Sequence, residues 1–130
     1  MTAGIDGTPM KKHILIVDDE ANIRDLLEEF LTHNGFRVTT VPSAYEAQQT
    51  VKRDAPNLII SDLQLEDSDG LDMIEQLKST LPKTPMVLLT GVLFDPKVVR
   101  ETLSKKVSCY LEKTSSLARI LHEVQRLLAV

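Results

Sequence analysis

Five short apolar runs alternate along the chain with five stretches whose apolar residues recur at helical spacing. The runs are His13 to Val17 (HILIV), Phe36 to Val41 (FRVTTV), Asn57 to Asp62 (NLIISD), Pro85 to Gly91 (PMVLLTG) and Val107 to Lys113 (VSCYLEK). Uninterrupted segments such as ILIV and MVLL suit strands covered on both faces, as in a parallel sheet flanked by helices. The second run is β-branched and mixed in polarity, which suits a strand near a sheet edge.

Between the runs, Ile23, Leu26, Leu27, Phe30 and Leu31 mark one face of an amphipathic helix. Asn34-Gly35 then stops it. Ser43 and Glu46 form a capping-box pattern that opens a second helix toward Lys52. A third helix carries Leu71, Ile74 and Leu77 and ends before Pro82. Asp95-Pro96 resembles an N-cap with proline in the first turn, opening a fourth through Val98, Val99 and Leu103. The last is expected to begin near Ser115 and to bury Leu117, Ile120, Leu121, Val124, Leu127 and Leu128. Five βα units predict an α/β, doubly wound, five-stranded parallel sheet of flavodoxin-like order 2-1-3-4-5, with helices on both faces. There is no internal repeat, and 130 residues are too few for a complete (β/α)₈ barrel.

Composition narrows the function. A chain of 130 residues with 42% hydrophobic and 26% charged residues suits one soluble domain with a real core. A net charge of -4 argues against direct nucleic acid binding. The single cysteine, Cys109, excludes an internal disulfide or a Cys-rich zinc site and fits a reducing compartment. The small, polar start MTAGIDGTPMK lacks the apolar core of a signal peptide, so residues 1–11 read as a flexible leader and 12–130 as the domain. No apolar run approaches the roughly 20 residues that span a bilayer. The expectation is a cytoplasmic domain without membrane contact.

In an open α/β sheet, ligands bind beyond the carboxyl ends of the strands. The polar residues expected there are Asp18 and Asp19, Asp62, Thr90 with Gly91, and Lys113. Adjacent carboxylates repel and raise one another's pKa unless a cation relieves them. Carboxylates without imidazole or thiolate suit magnesium, which takes one or two carboxylates plus water and phosphate oxygens. Thr90 and Lys113 would then face the anion that the metal attracts, most simply a phosphoryl group. Asp62 is the natural nucleophile, because carboxylates form acyl phosphates. Gly91 after Thr90 would let the backbone approach that group closely. Each residue also has a plainer reading. Asp19 alone could be a helix N-cap, Lys113 alone a surface lysine, and Asp67 and Asp69 solvated loop acids. Together the plainer readings need several coincidences. Cys109 reads as a small buried filler, His13, His33 and His122 are scattered, and His122 reads as solvated.

VDDE after the first strand, ISDLQLEDSDGL around Asp62, LLTG on the fourth strand and YLEK on the fifth resemble the receiver domain of two-component response regulators, the chemotaxis response regulator among them. The resemblance runs from about Lys12 to Val130. It implies that Asp62 is the phosphoacceptor and that Asp18, Asp19, Asp62 and the backbone carbonyl of Gln64 hold Mg2+. It also implies that Thr90 and Lys113 contact the phosphoryl oxygens, and that Tyr110 is an aromatic switch moving with Thr90. Gly70 matches the family's glycine before the third helix. The chain departs from the family pattern at Thr114, where proline is usual and often cis; at Glu66, where proline is common; and at Lys106-Val107, where Gly-Ala is usual. A non-proline cis bond costs roughly 2.5–4 kcal/mol, which weighs toward a trans bond and a differently placed lysine, but the sequence leaves cis and trans both open.

The resemblance implies a phosphoprotein switch rather than a turnover enzyme, limited to its own phosphorylation and dephosphorylation. Its partners would be a sensor histidine kinase or phosphotransfer protein, and a downstream effector protein or an output domain missing from this chain. The changing surface would be the fourth helix, fifth strand and fifth helix, through which a homodimer is also compatible. A magnesium-dependent phosphohydrolase with an aspartyl-phosphate intermediate is an alternative, but Gln64 stands where such enzymes of the haloacid-dehalogenase type usually carry a second Asp. A vestigial, non-switching interaction module is the third reading, kept by Thr114 and Lys106-Val107. Stand-alone regulator and excised receiver both remain open.

Overall fold

The computed structural model describes residues 11–62, 64–65, 68–91 and 107–129, with backbone alone for 64 and 68–71. In chain order the elements are β1 (His13–Val17), α1 (Ala21–His33), β2 (Arg37–Val41), α2 (Ala44–Arg53), β3 (Leu58–Ser61), β4 (Gln64–Leu65), β5 (Ser68–Asp69), α3 (Gly70–Thr80), β6 (Met86–Thr90), β7 (Cys109–Glu112) and α4 (Leu117–Leu128). Five of the strands form a parallel sheet in the order β2-β1-β3-β6-β7. Counting those five alone gives the predicted 2-1-3-4-5. The mixed strand β2 lies at the edge, and the apolar strands β1, β3 and β6 are buried throughout. The expected fourth helix through Val98, Val99 and Leu103 lies outside the described residues, as do Glu66, Asp67, Lys106, Val130 and all but Lys11 of the expected leader.

Strand alternation sends successive side chains to opposite faces, so one sheet builds two cores. On one face, Leu15, Val17, Ile59 and Leu88 pack with Ala47 and Val51 of α2 and with Met73, Ile74 and Leu77 of α3. On the other, Ile14, Ile16, Ile60 and Leu89 pack with Leu27 and Leu31 of α1 and with Ile120 and Val124 of α4. Each such side chain contributes about 1.5–3 kcal/mol when fully buried. The helix boundaries follow local chemistry. Ser43 Oγ accepts the Glu46 N–H at 3.2 Å, as the capping box predicts. Gly35, at φ 95°, supplies the left-handed turn after α1.

Two expectations need correction. The last helix begins near Ser115 as expected, at Leu117, with the N-cap Ser116 Oγ accepting the Arg119 N–H at 3.1 Å. It buries only Ile120 and Val124 fully; Leu117, Leu121, Leu127 and Leu128 are half-buried, because its apolar stripe is wider than the contact it makes with the sheet. Cys109 is likewise half-buried rather than a core filler. The antiparallel hairpin of β4 and β5 was not expected, since two-residue strands leave no alternation to read.

His13 does more than start a strand. It is buried, its Nε2 lies 2.8 Å from Thr39 Oγ1, and its Nδ1 faces an Asp54 carboxylate oxygen at 3.8 Å. Burial, with Arg37 nearby, lowers its pKa, against the pull of Asp54 and the Ala55 backbone. An unfolded histidine takes a proton near pH 6.5, and the folded one resists it to lower pH. The unfolded state therefore binds more protons in that window, and stability falls as pH drops below about 6.5. Urea unfolding between pH 7 and pH 5 should show this decline, at most about 1.4 kcal/mol per pH unit, and His13→Leu should flatten it. Parallel pH profiles for the two proteins would contradict it.

Candidate functional site

The last backbone bonds of the sheet place the charged residues. The Asp18 N–H donates to the Val41 carbonyl at 3.1 Å, the Asp62 N–H to Val17 at 3.0 Å and the Lys113 N–H to Thr90 at 2.9 Å. Each residue thus sits one step beyond its strand yet still bonded to a neighbour, and the three side chains converge at the carboxyl end of the sheet. Asp18 is anchored twice more: its Oδ1 accepts the Glu20 N–H at 2.8 Å, and its carbonyl accepts a bond from Arg24 at 2.6 Å. Glu20 is the N-cap of α1 and makes no side-chain cap bond, so the reading of Asp19 as a simple N-cap falls away.

The Lys113 ammonium stands at the centre. It lies 3.0 Å from Asp18 Oδ2, 3.0 Å from Asp62 Oδ2 and 2.6 Å from Glu20 Oε1. The Lys113 side chain is 10% exposed, those of Asp18 and Asp62 are 3% and 6%, and that of Glu20 is 59%. Burial opposes the ammonium charge, but hydrogen bonds to Glu20, Asp62 and Asp18 outweigh it and hold the lysine above its usual range. Asp18 moves the other way for a carboxylate. Burial pushes its carboxyl up and Asp62 adds to this, against the Glu20 N–H and Lys113. Lys113 gains from three acids, while Asp18 shares that one lysine and also feels Asp62.

Asp18, Asp19, Glu20 and Asp62 each offer a carboxylate oxygen, all within 4.8 Å of one another. The donor set is hard oxygen throughout, which fits magnesium. Gln64 opens β4 two residues after Asp62. Thr90 closes β6 and is fully buried. Tyr110 is paired in register with Leu88, so alternation puts Tyr110 and Thr90 on the same sheet face, where Tyr110 packs against the core under α2 and α3. The Lys113–Thr114 bond is trans, and the lysine still reaches Asp62. A Cβ on Gly91 would lie 3.7 Å from Lys113 Cδ, an ordinary contact, so the lysine does not itself require glycine there. Glu20 is the site residue that the motif reading passed over, although it is the third acid in VDDE.

Residues 14–125 match the family described as the response regulator receiver domain. The chain belongs to this family. As a receiver domain it is similar to the response regulator MprA of Mycobacterium leprae, at 31% identity over 88% of this chain and 50% of that protein. It is also similar to the transcriptional regulatory protein GlrR of Escherichia coli K12, at 32% identity over 69% of this chain and 20% of that protein. The chain thus spans between a fifth and a half of the length of these relatives. Among solved structures, the receiver domain of NtrX from Brucella abortus superposes with a TM-score of 0.82 at 28% identity, covering 90% of this chain and 98% of that one.

Proposed function

We propose that residues 12–130 form one receiver domain that accepts a phosphoryl group on Asp62 from a histidine kinase or phosphotransfer protein. In that reaction an Asp62 carboxylate oxygen forms a bond to phosphorus, and the donor nitrogen leaves with the electron pair of the broken N–P bond. The observation that carries this reading is the Lys113 ammonium held 3.0 Å from the buried Asp62 carboxylate, at the strand ends where Asp18 and Thr90 also lie. Lys113 would hold a phosphoryl oxygen in place, and the Thr90 hydroxyl would donate to another. Asp18, Asp19, Asp62 and the Gln64 carbonyl would bind Mg2+, whose charge offsets that of the transferring oxygens.

Thr90 and Tyr110, on one sheet face, would pass the change to the β7 and α4 surface and so to an effector protein or output domain. The same surface suits homodimerisation. The domain would act in the cytoplasm and turn over only its own phosphoryl group; among the described residues no helix is long and apolar enough to cross a membrane.

Beryllofluoride, which mimics a phosphoryl group on a carboxylate, tests the site without chemistry. Wild-type protein with Mg2+ should give bound resonances in 19F spectra, absent with EDTA and in Asp62→Asn. Metal-independent binding, or binding retained by the variant, would contradict the assignment.

A further inference from the structure

The Asp18 carbonyl is half of the peptide group that joins Asp18 to Asp19. Because that group is planar, fixing its oxygen restrains ψ of Asp18 and φ of Asp19 together. Arg24 does so: its Nη1 donates to the Asp18 carbonyl at 2.6 Å. Arg24 lies one turn into α1, with its own N–H bonded to the Glu20 carbonyl at 3.1 Å. Helical side chains lean toward the N-terminus, so a long one at this position reaches back over the turn between β1 and α1. The Asp18 carboxylate has anchors of its own, the Glu20 N–H at 2.8 Å and Lys113 at 3.0 Å. Among the described residues the Asp19 carboxylate has no hydrogen bond or ion pair, so its aim depends on the peptide behind it. Two plainer readings of Arg24 fit less well. A cation this near a helix N-terminus opposes the helix dipole, so its charge does not stabilise α1. Nor is it a counter-ion, since its bond goes to the carbonyl and, among the described residues, to none of the acids beside it.

We propose that Arg24 is a positioning residue of the metal site: by pinning the Asp18–Asp19 peptide it aims the Asp19 carboxylate toward Asp18 and Asp62, and so raises the affinity for Mg2+. The inference rests on Asp18, Asp19 and Asp62 being the Mg2+ ligands and adds the residue that pre-arranges them. The bond from Arg24 goes to a carbonyl outside that ligand set, so a cation on the carboxylates leaves it in place. Charge and pre-arrangement act in opposite directions here. A guanidinium beside the acids repels a second cation, while its hydrogen bond holds the ligands ready for one.

The test is calorimetric Mg2+ titration of wild type, Arg24→Met and Arg24→Lys. Methionine keeps much of the apolar stem and removes both charge and donor, whereas lysine keeps the charge and a donor. Arg24→Met should bind Mg2+ about tenfold more weakly, the low end of the loss typical when a partner that orients a metal ligand is removed. Arg24→Lys should recover most of that loss. The Mg2+ concentration that half-saturates loading from acetyl phosphate should rise by the same factor in Arg24→Met. In metal-free Arg24→Met the Glu20 amide should exchange with solvent faster and the β1 amides at the wild-type rate, which locates the change in the turn. Equal or tighter Mg2+ binding by Arg24→Met, as charge alone requires, overturns the inference alone. Weaker binding with faster exchange throughout β1 also overturns it, because the loss then belongs to the fold. No Mg2+ binding by the wild type overturns the magnesium reading and this inference with it.

Discussion

Lys113→Met should destabilise the metal-free protein by about 3 kcal/mol, since removing one partner of a buried ion pair typically costs about 3–5 kcal/mol. The variant keeps the length of the apolar stem and removes the ammonium from between Asp18 and Asp62. Those two carboxylates would then be buried together with no counter-charge. Part of the cost is recovered because Asp18, already pushed up by burial, takes a proton more readily. The exposed Glu20 contributes little to the loss. Urea unfolding at pH 7 in EDTA reads the effect as a lower midpoint. Mg2+ should restore stability more in the variant than in wild type, because a cation bound to the acids stabilises the folded state by mass action. A variant as stable as wild type without metal would mean that Lys113 is not the counter-ion of the cluster.

Asp62→Asn should abolish the magnesium-dependent phosphoryl adduct formed with acetyl phosphate while leaving the fold intact. Asparagine fills the same space, yet its amide is a far poorer nucleophile than a carboxylate. It also removes one of the mutually repelling acids, so the variant should unfold at no lower urea concentration than wild type. Loss of the adduct with retained stability therefore separates chemistry from folding. Intact mass and urea midpoints measured on the same samples check both halves, and an undiminished adduct in Asp62→Asn would place the chemistry on another residue.

The sheet was legible because HILIV, NLIIS and MVLLT carry apolar residues on both faces, a pattern that only strands covered on two sides need. The site was legible for a related reason: Asp18 and Asp62 each follow a run of buried residues, Lys113 follows the edge strand β7, and the fold rule places strand ends together. What stayed hidden depends on distances that no local pattern encodes. Glu20 looked like its two neighbours, yet the turn made by its N–H to Asp18 brings its carboxylate onto Lys113. His13 read as a strand start, because Thr39 and Asp54 meet it only once β2 has paired with β1 and α2 has ended. The half-burial of Leu121 and Leu127 was hidden too, since a helical stripe shows which face is apolar and not how much of it the sheet covers.

The central claim is that Asp62 itself carries the phosphoryl group, and borohydride trapping tests it most directly. Borohydride reduces an aspartyl phosphate to homoserine, which peptide mass spectrometry locates in the chain. Protein treated with acetyl phosphate and Mg2+ should show homoserine at position 62, and none when EDTA is present. Homoserine at Asp18 or Asp19, or 5-hydroxynorvaline at Glu20, with Asp62 unmodified, or no reduced residue anywhere after a mass adduct has formed, would contradict the account.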